Sequence, residues 1–134
     1  MSGSKNIETI KNVYAAFGRG DVGAILAVVT DDVTWGTETV AKDAPWWGIR
    51  KGKEQVGSFF EELGKTMEVE DFTPLTFAAD DNGDVLTVVR YAARSRETGK
   101  AATMEIHHWF QFTNGKISRY RGTEDTIATA ATLS

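Results

Sequence analysis

The sequence has no cysteine, only two prolines and no long apolar run. The absence of cysteine excludes disulfides, thiolate metal sites and a cysteine nucleophile. No segment approaches the ~18 apolar residues of a membrane span, and the first residues lack the apolar stretch of a signal peptide. The net charge of −4 leaves no basic footprint for nucleic acid. We therefore expect a cytoplasmic protein with neither membrane nor nucleic acid among its partners.

The residues that are present are typical of one folded domain. The chain has 134 residues, of which 41% are hydrophobic and 25% are charged, a balance that is common in globular proteins. It contains no repeat and no low-complexity linker. We therefore expect a single domain over residues 1–134.

Apolar residues recur at steps of three and four near the start of the chain and predict an amphipathic helix. They are Ile7, Ile10, Val13, Tyr14 and Phe17. Ser4 or Asn6 is the candidate cap of this helix, and the glycines of residues 18–20 end it. Asp21 is placed to cap a second, short helix that ends at residues 31–32.

The pattern becomes strand-like after a third predicted helix over residues 52–67. Segments near residues 69–79, 84–96, 101–113 and 116–124 are separated by turn-forming residues. Asp125 is placed to cap a closing helical turn over residues 127–133. Helices followed by strands predict an α+β fold, in which N-terminal helices cover one side of a curved antiparallel sheet and leave a conical cavity.

The stretch over residues 38–51 has no clear periodicity and is predicted to be a long irregular loop. It contains Pro45, Trp46, Trp47 and Gly48. Loops of this length are usually functional or disordered, and two tryptophans argue against disorder. The two rings therefore either form a lid over the cavity or pack against the core. In the lid interpretation, Trp46 binds ligand and contributes little to stability.

Several segments resemble the SnoaL-like branch of the nuclear transport factor two-like superfamily, which includes ketosteroid isomerases and polyketide cyclases. The segments are YAAFGRGD (14–21), TDDVTW (30–35), PWWG (45–48), KGK (51–53), HWFQFTNGKI (108–117) and EDT (124–126). The resemblance spans nearly the whole chain and implies a cystatin-like α+β barrel. Because this fold carries enzymes, binding proteins and scaffolds alike, the resemblance does not identify a reaction.

The resemblance also bears on the chemistry at three positions. Ketosteroid isomerases place a proton-donating aspartic acid at the position that matches His108. Their general-base aspartate falls at Thr37 of this chain, and their oxyanion tyrosine falls at Val13. Steroid isomerisation by that route is therefore not expected here.

Alternation along the third of the four predicted strands decides which of two adjacent histidines faces the cavity, because neighbouring side chains on a strand point to opposite faces. His108 shares a face with the apolar Ile106 and Phe110, so it should point inward. His107 shares the opposite face with Trp109. On the preceding strand, matched through the family, the same alternation turns Val89, Tyr91 and Ala93 inward.

The turn of the last predicted hairpin sets what lies opposite His108. A two-residue turn at residues 114–115 would place Arg121 there, whereas a three-residue turn over residues 113–115 would place Tyr120 there. Two arginines on the apolar face would cost far more than a tyrosine and a glycine. We therefore expect the three-residue turn, and the family resemblance implies the same register.

Three inward polar side chains are the candidate catalytic groups, namely His108, Tyr120 and Glu124. A neutral His108 that is hydrogen-bonded by Tyr120 is placed to take or donate a proton, and Glu124 is placed to hold the substrate or to act as a second acid–base group. The alternatives are a core histidine that is satisfied by a tyrosine and a glutamate at the rim of the cavity. No second ligand accompanies His108 at a metal-like spacing, so neither a metal nor a cofactor is expected.

The candidate substrate-binding residues form an aromatic and apolar wall: Trp35, Thr37, Trp46, Trp47, Phe59, Tyr91, Ile106 and Phe110. Together with the polar groups, they predict a cofactor-independent isomerase, cyclase or lyase that moves a proton on a small apolar molecule. The alternative is a non-catalytic binding domain with the same cavity and no acid–base pair.

The outward face of the last predicted hairpin indicates a partner. It should carry Glu105, His107, Trp109, Gln111, Ile117, Arg119 and Arg121. Tryptophan and arginine are enriched at protein interfaces, and the family commonly pairs two sheets back to back. We therefore expect a homodimer formed through His107, Trp109, Arg119 and Arg121.

Overall fold

The order of helices and strands follows the predicted change in periodicity. The computed structural model describes residues 2–134. Its helices are α1 (Ser2–Gly18), α2 (Val22–Leu26), α3 (Gly52–Thr66) and α4 (Thr126–Thr132). Its strands are β1 (Val29–Thr37), β2 (Gly48–Lys51), β3 (Met67–Ala79), β4 (Val85–Ser95), β5 (Ala101–Thr113) and β6 (Lys116–Thr123). The predicted α+β class is confirmed.

The six strands form one curved sheet in the order β2-β1-β6-β5-β4-β3. Neighbouring strands are antiparallel except β1 and β6, which run parallel. The edge strands β2 and β3 do not pair with each other, so the sheet stays open and does not close into a barrel. Helix α1 packs on β3 and β4, and α3 packs on β1 and β2. No helix among residues 2–134 is both long and apolar enough to cross a membrane.

The second helix is shorter than predicted. It ends at Leu26, and Val29 already begins β1, so Asp31 and Asp32 lie on a strand rather than at a helix end. The pairing of β1 with β6 shifts register between Val29 and Thr34. This irregularity lets two consecutive aspartates both be exposed, which a regular strand with one buried face would not allow.

Strand β2 lies inside the stretch that the sequence predicts to be irregular. Four residues are too few to show an alternating pattern, so the prediction of a loop up to residue 51 is wrong at its end. The strand pairs antiparallel with β1, where Thr37 is opposite Gly48 and Trp35 is opposite Arg50. A side chain on Gly36 would overlap the backbone carbonyl of Gly48, so glycine permits this close approach.

Aspartates cap two of the helices as predicted. Asp21 Oδ1 accepts from the backbone N of Ala24 at 3.1 Å, and Asp125 Oδ1 accepts from that of Ala128 at 3.0 Å. The predicted cap of α1 is wrong, because Ser4 and Asn6 both lie within this helix, which includes Ser2. Asn6 is buried within it and donates Nδ2–H to the carbonyl of Gly83 at 2.9 Å, which ties α1 to the β3–β4 turn.

The β5–β6 hairpin has neither of the registers considered from the sequence. Its turn has two residues, both at positive φ, Asn114 at 51° and Gly115 at 78°. Thr113 is opposite Lys116, which corrects the three-residue prediction. A bulge one residue pair further on then shifts the pairing.

This bulge explains which side chains of β6 face inward. Phe112 is opposite Ile117, whereas Gln111 is opposite Arg119, so Ser118 is the extra residue. Ile117 is therefore buried, and its prediction as an outward residue is wrong. Beyond the bulge the inward set includes Tyr120, as predicted, but Tyr120 is opposite Phe110.

Candidate functional site

A cavity lies between the helices and the inner face of the sheet. The cavity has a volume of about 80 Å³, measured as the space open to the centre of a water-sized sphere. One water needs roughly 10–15 Å³ by this measure, so the cavity has room for about five to eight waters or one compact ring. Its lining residues are Val13, Tyr14, Phe17, Ile25, Trp35, Thr37, Trp46, Phe59, Phe60, Leu63, Phe72, Tyr91, Ile106, His108, Phe110, Tyr120, Gly122, Thr123 and Glu124.

His108 reaches the cavity from the middle of β5. Its Nδ1 lies 2.7 Å from the hydroxyl of Tyr14, and that hydroxyl lies 2.6 Å from Oγ1 of Thr87. The expectation that Tyr120 is the hydrogen-bond partner of His108 is wrong, because the bulge in β6 leaves Gly122 opposite His108. The three linked side chains come from α1, β4 and β5, so the histidine is held from both layers of the fold.

The environment of His108 strongly favours its neutral form. The rings of Tyr120, Phe110 and Phe72 have centroids 5.1, 5.9 and 6.3 Å from that of the imidazole. Burial among them, together with the nearby His107, lowers the pKa of His108 to about 3. The ring is therefore uncharged throughout the neutral pH range.

Tyr120 stands over the cavity from β6 and packs against Trp35, with ring centroids 4.3 Å apart. Burial, followed by the charge effects of Tyr14, Glu124 and Tyr91, raises its pKa well above the usual value. Its hydroxyl has no hydrogen-bond partner among residues 2–134 and lies directly over Gly122, where any side chain would overlap it.

Glu124 is the one charged residue that lines the cavity within the described part of the chain. Its Oε1 accepts from Nε1–H of Trp47 at 2.9 Å, and its Oε2 accepts from the hydroxyl of Thr129 at 2.5 Å. Burial and the charge of Glu124 raise the pKa of Tyr91, whose hydroxyl also lacks a partner among residues 2–134. We call Tyr91, His108, Tyr120 and Glu124 the polar cluster.

The cavity brings together all but one of the residues that the sequence singles out. The exception is Trp47, which does not line it and instead holds Glu124 in place. Trp46 lines the cavity, yet both tryptophans are buried at 3% and 7% exposure in the hydrophobic core. The expectation that a lid tryptophan contributes little to stability is therefore revised. Trp35 is also buried, and its Nε1–H has no acceptor among residues 2–134.

Sequence reasoning missed Tyr14 and Thr87 as part of the site. Tyr14 was assigned only to the apolar face of α1, although it follows Val13, the position at which ketosteroid isomerases carry their oxyanion tyrosine. That adjacency was the available signal. Thr87 had none, because a threonine in a strand is ordinary. Among residues 2–134 no group of three His, Cys, Asp or Glu side chains is arranged to hold a metal ion.

The outer face of the sheet carries a second set of predicted residues. Trp109 is 40% exposed, and Leu86, directly opposite it on β4, is 45% exposed. Nε1–H of Trp109 donates to Asp84 at 2.9 Å, and the guanidinium of Arg119 lies 4.8 Å from the ring centroid. His107 is exposed on the same face, and Arg121 is half-buried there.

Solved structures of nuclear transport factor two-like proteins share this architecture, which defines the structural class of the chain. A protein of this class from Burkholderia pseudomallei, of unknown function, superposes with a TM-score of 0.88 at 21% identity, over 97% of this chain and 98% of that chain. A candidate polyketide cyclase from Xanthomonas campestris gives 0.80 at 19% identity over 100% of both chains. A candidate isomerase from Bacillus subtilis gives 0.85 at 17% identity, over 98% of this chain and 94% of that chain. At these identities the likeness shows the fold alone.

The sequence itself identifies the family to which the chain belongs. The profile of the SnoaL-like domain matches residues 10–120, and the chain belongs to this family. The resemblance drawn from the sequence segments is thereby confirmed. A comparison with curated proteins finds no match.

Proposed function

We propose that the chain is a cofactor-free enzyme that moves a proton on a small, largely apolar molecule held in the cavity. The observation that carries the proposal is the polar cluster, because it sets one carboxylate, one neutral imidazole and two tyrosine hydroxyls without protein partners into a largely apolar cavity. Polar groups that face a cavity without a partner in the protein are placed for a ligand to supply the missing hydrogen bonds.

The proposed step is proton transfer next to a carbonyl group. Glu124 takes a proton from the adjacent carbon, so that the C–H bond breaks and an O–H bond forms on the carboxylate. The electron pair moves onto the carbonyl oxygen, where His108 and Tyr120 stabilise the developing negative charge. If the substrate has a carbon–carbon double bond beginning one carbon beyond the deprotonated carbon, return of the proton to the far carbon of that double bond shifts the double bond and completes an isomerisation. In a saturated ketone the proton returns to the carbon that lost it, and only exchange with solvent results. Neither case requires a further reactant.

The largely apolar lining of the site supports this assignment. Hydrogen-bond donors act more strongly on a developing oxyanion in an apolar, water-poor cavity than in bulk water. Tyr120 packs between Trp35 and Phe110, with ring centroids 4.3 and 5.0 Å away, so its hydroxyl is held rather than free to rotate away. The fold neighbours include a candidate isomerase and a candidate polyketide cyclase, which is consistent with this chemical class.

A second candidate function is ligand binding without catalysis. Both carboxylate oxygens of Glu124 already accept hydrogen bonds, from Trp47 and Thr129. A glutamate that only anchors α4 and the loop before β2 would have the same contacts. In that case the cavity would bind its ligand and leave it unchanged.

Deuterium exchange distinguishes the two functions without knowledge of the natural substrate. Cyclohexanone in D₂O exchanges the hydrogens next to its carbonyl, and NMR follows the rate. We expect the protein to accelerate this exchange and Glu124→Gln to lose ~10²–10⁴-fold of the acceleration. Glu105→Gln, an exposed glutamate on the outer face of β5, is the matched control and should keep it. Equal rates for the protein and for Glu124→Gln would contradict the enzyme and leave the binding domain.

We also propose that a second copy of the chain is the macromolecular partner. The supporting observation is the pair of neighbouring apolar side chains on the outer face of the sheet, Trp109 and Leu86, both partly exposed. Arg119 and Arg121 flank them on β6. Aromatic and arginine side chains at the centre of a sheet face are typical of an interface.

A further inference from the structure

The hydrogen bonds around His108 determine which of its ring nitrogens carries the proton. The buried Thr87 hydroxyl has one partner among residues 2–134, the hydroxyl of Tyr14, and that hydroxyl also faces Nδ1 of His108. Each hydroxyl has one proton to donate. The three groups therefore form a chain of two hydrogen bonds, in which donation can run either from Thr87 to His108 or from His108 to Thr87.

The two directions leave different donors without an acceptor in the protein. If Thr87 donates to Tyr14, then Tyr14 donates to Nδ1 of His108, and the imidazole proton is on Nε2. If the direction is reversed, Nδ1–H donates to Tyr14, Tyr14 donates to Thr87, and the Thr87 hydroxyl proton is left without an acceptor inside the protein. In the first direction the unpaired donor is Nε2–H of the half-buried His108 ring, which lines the cavity where a ligand or water can accept from it. In the second it is the hydroxyl of Thr87, which is buried and does not line the cavity. A buried donor without an acceptor is unfavourable, so the first direction is favoured.

The charges around the cavity limit the ligand in a second way. No lysine or arginine lines the cavity within residues 2–134, and Glu124 contributes a negative charge. An anionic ligand would meet this carboxylate in surroundings of low dielectric, with no cation to offset the repulsion. The cavity volume of about 80 Å³ has room for about one ring of a ligand.

From these observations we infer that the cavity binds a neutral carbonyl compound of about one ring, whose oxygen accepts a hydrogen bond from Nε2–H of His108. Tyr14 and Thr87 are positioning residues that fix this tautomer. His108 is in this arrangement a donor and not a base. The inference rests on the proposed function, and it names the ligand class and the orientation for the same cavity.

Two measurements test the inference without any turnover. The first is the ¹⁵N NMR spectrum of the imidazoles, assigned with the His107→Gln variant. We expect His108 to be the Nε2–H tautomer in the protein. In Tyr14→Phe we expect the Nδ1–H tautomer to become populated, and in Thr87→Val a smaller change in the same direction. An Nδ1–H tautomer in the unmodified protein, or a tautomer that is unchanged in Tyr14→Phe, would overturn the positioning role.

The second measurement compares three probes by tryptophan fluorescence. They are cyclohexanone, methylenecyclohexane, which replaces the oxygen by a carbon of similar size, and cyclohexanecarboxylate, which is anionic. We expect cyclohexanone to bind at least tenfold more tightly than either of the others and to shift the Nε2 resonance of His108. In Tyr14→Phe the preference for cyclohexanone over methylenecyclohexane should shrink.

Each outcome of the probe comparison is decisive. Equal binding of the ketone and the hydrocarbon, preference for the carboxylate, or binding of none of the three would overturn the ligand class. The result is also separable from the deuterium exchange. If the ketone binds as expected but is not exchanged, the proposed catalysis is wrong while the ligand class and the donor role of His108 stand.

Discussion

Burial lowers the pKa of His108 to about 3 in the folded protein, whereas a histidine in the unfolded chain titrates near 6.5. Between these two values the unfolded chain binds more protons than the folded protein. The free energy of unfolding should therefore fall as the pH is lowered through this window, and it should not depend on this group above about pH 7. The expected loss from His108 is about 2 kcal/mol between about pH 7 and pH 5.

Urea unfolding across this range checks the prediction. His108→Gln keeps a neutral polar side chain and should remove most of the pH dependence. His107→Gln changes the exposed neighbour and should leave it as it is. If His108→Gln retains the full slope, the imidazole is not protected from protonation by burial.

Gly122 is a second residue whose role is local and steric. A methyl group at this position would overlap the Tyr120 hydroxyl and would lie 3.3 Å from Cδ2 of His108. We expect Gly122→Ala to lower the free energy of unfolding by ~1–3 kcal/mol through overpacking and to displace the Tyr120 ring. Gly64→Ala is the control, because nothing lies within 4 Å of the added carbon, and it should be neutral or stabilising.

A double-mutant cycle locates the strain at this pair. Combined with Tyr120→Ala, which removes the ring that the new methyl group would meet, Gly122→Ala should cost much less than it does alone. Additive losses in the urea unfolding of the double mutant would show that Tyr120 does not occupy the space above Gly122.

At the scale of elements, the loop between β1 and β2 is the segment whose role differs most from the sequence prediction. It carries Trp46, which lines the cavity and is buried in the core at the same time. We therefore expect Trp46→Ala to cost ~3–5 kcal/mol in the free energy of unfolding, as do other buried aromatic truncations. A loss below about 1 kcal/mol in urea unfolding would restore the interpretation of a detachable lid.

The elements also show what the sequence can and cannot predict. Long periodic segments were predicted well, including α3 and β5, because burial of one face imposes their period. Strand β2 was missed because four residues carry no period. The inward face of β6 was predicted correctly at Tyr120 for an incorrect reason, since a two-residue turn followed by a bulge turns the same face inward as a three-residue turn does.

The candidate site was accessible from the sequence only in part. Alternation along β5 places His108 and its apolar neighbours, and this needs no knowledge of the helices. The pairing of His108 with Tyr14 and Thr87 depends on how α1 lies on β4, across 94 and 73 residues of the chain for the two hydrogen bonds. Such contacts leave no local pattern, so only the structure reveals them.

At the scale of the whole molecule, the outer face of the sheet predicts self-association. Leu86 lies beside Trp109 on this face and makes no polar contact of its own, so Leu86→Glu should prevent pairing with little effect on the fold. Trp109→Glu should also do so, at some cost in stability, because Trp109 is bound to Asp84. Analytical ultracentrifugation should show a dimer for the unmodified chain and monomers for both variants.

The control for self-association is an equally apolar residue elsewhere on the surface. Val40 is 96% exposed in the loop before β2, and Val40→Glu should leave the dimer intact. A monomeric unmodified chain, or dimers that persist in both sheet-face variants, would contradict this interface.

Both the proposed reaction and the proposed ligand require that the polar cluster binds a carbonyl group in the cavity. A crystal structure of the protein soaked with cyclohexanone tests it most directly. We expect one ketone in the cavity with its oxygen ~2.7–3.2 Å from Nε2 of His108 and the adjacent ring carbon facing Glu124. A ketone bound only outside the cavity, or one whose oxygen points away from the polar cluster, would contradict the account.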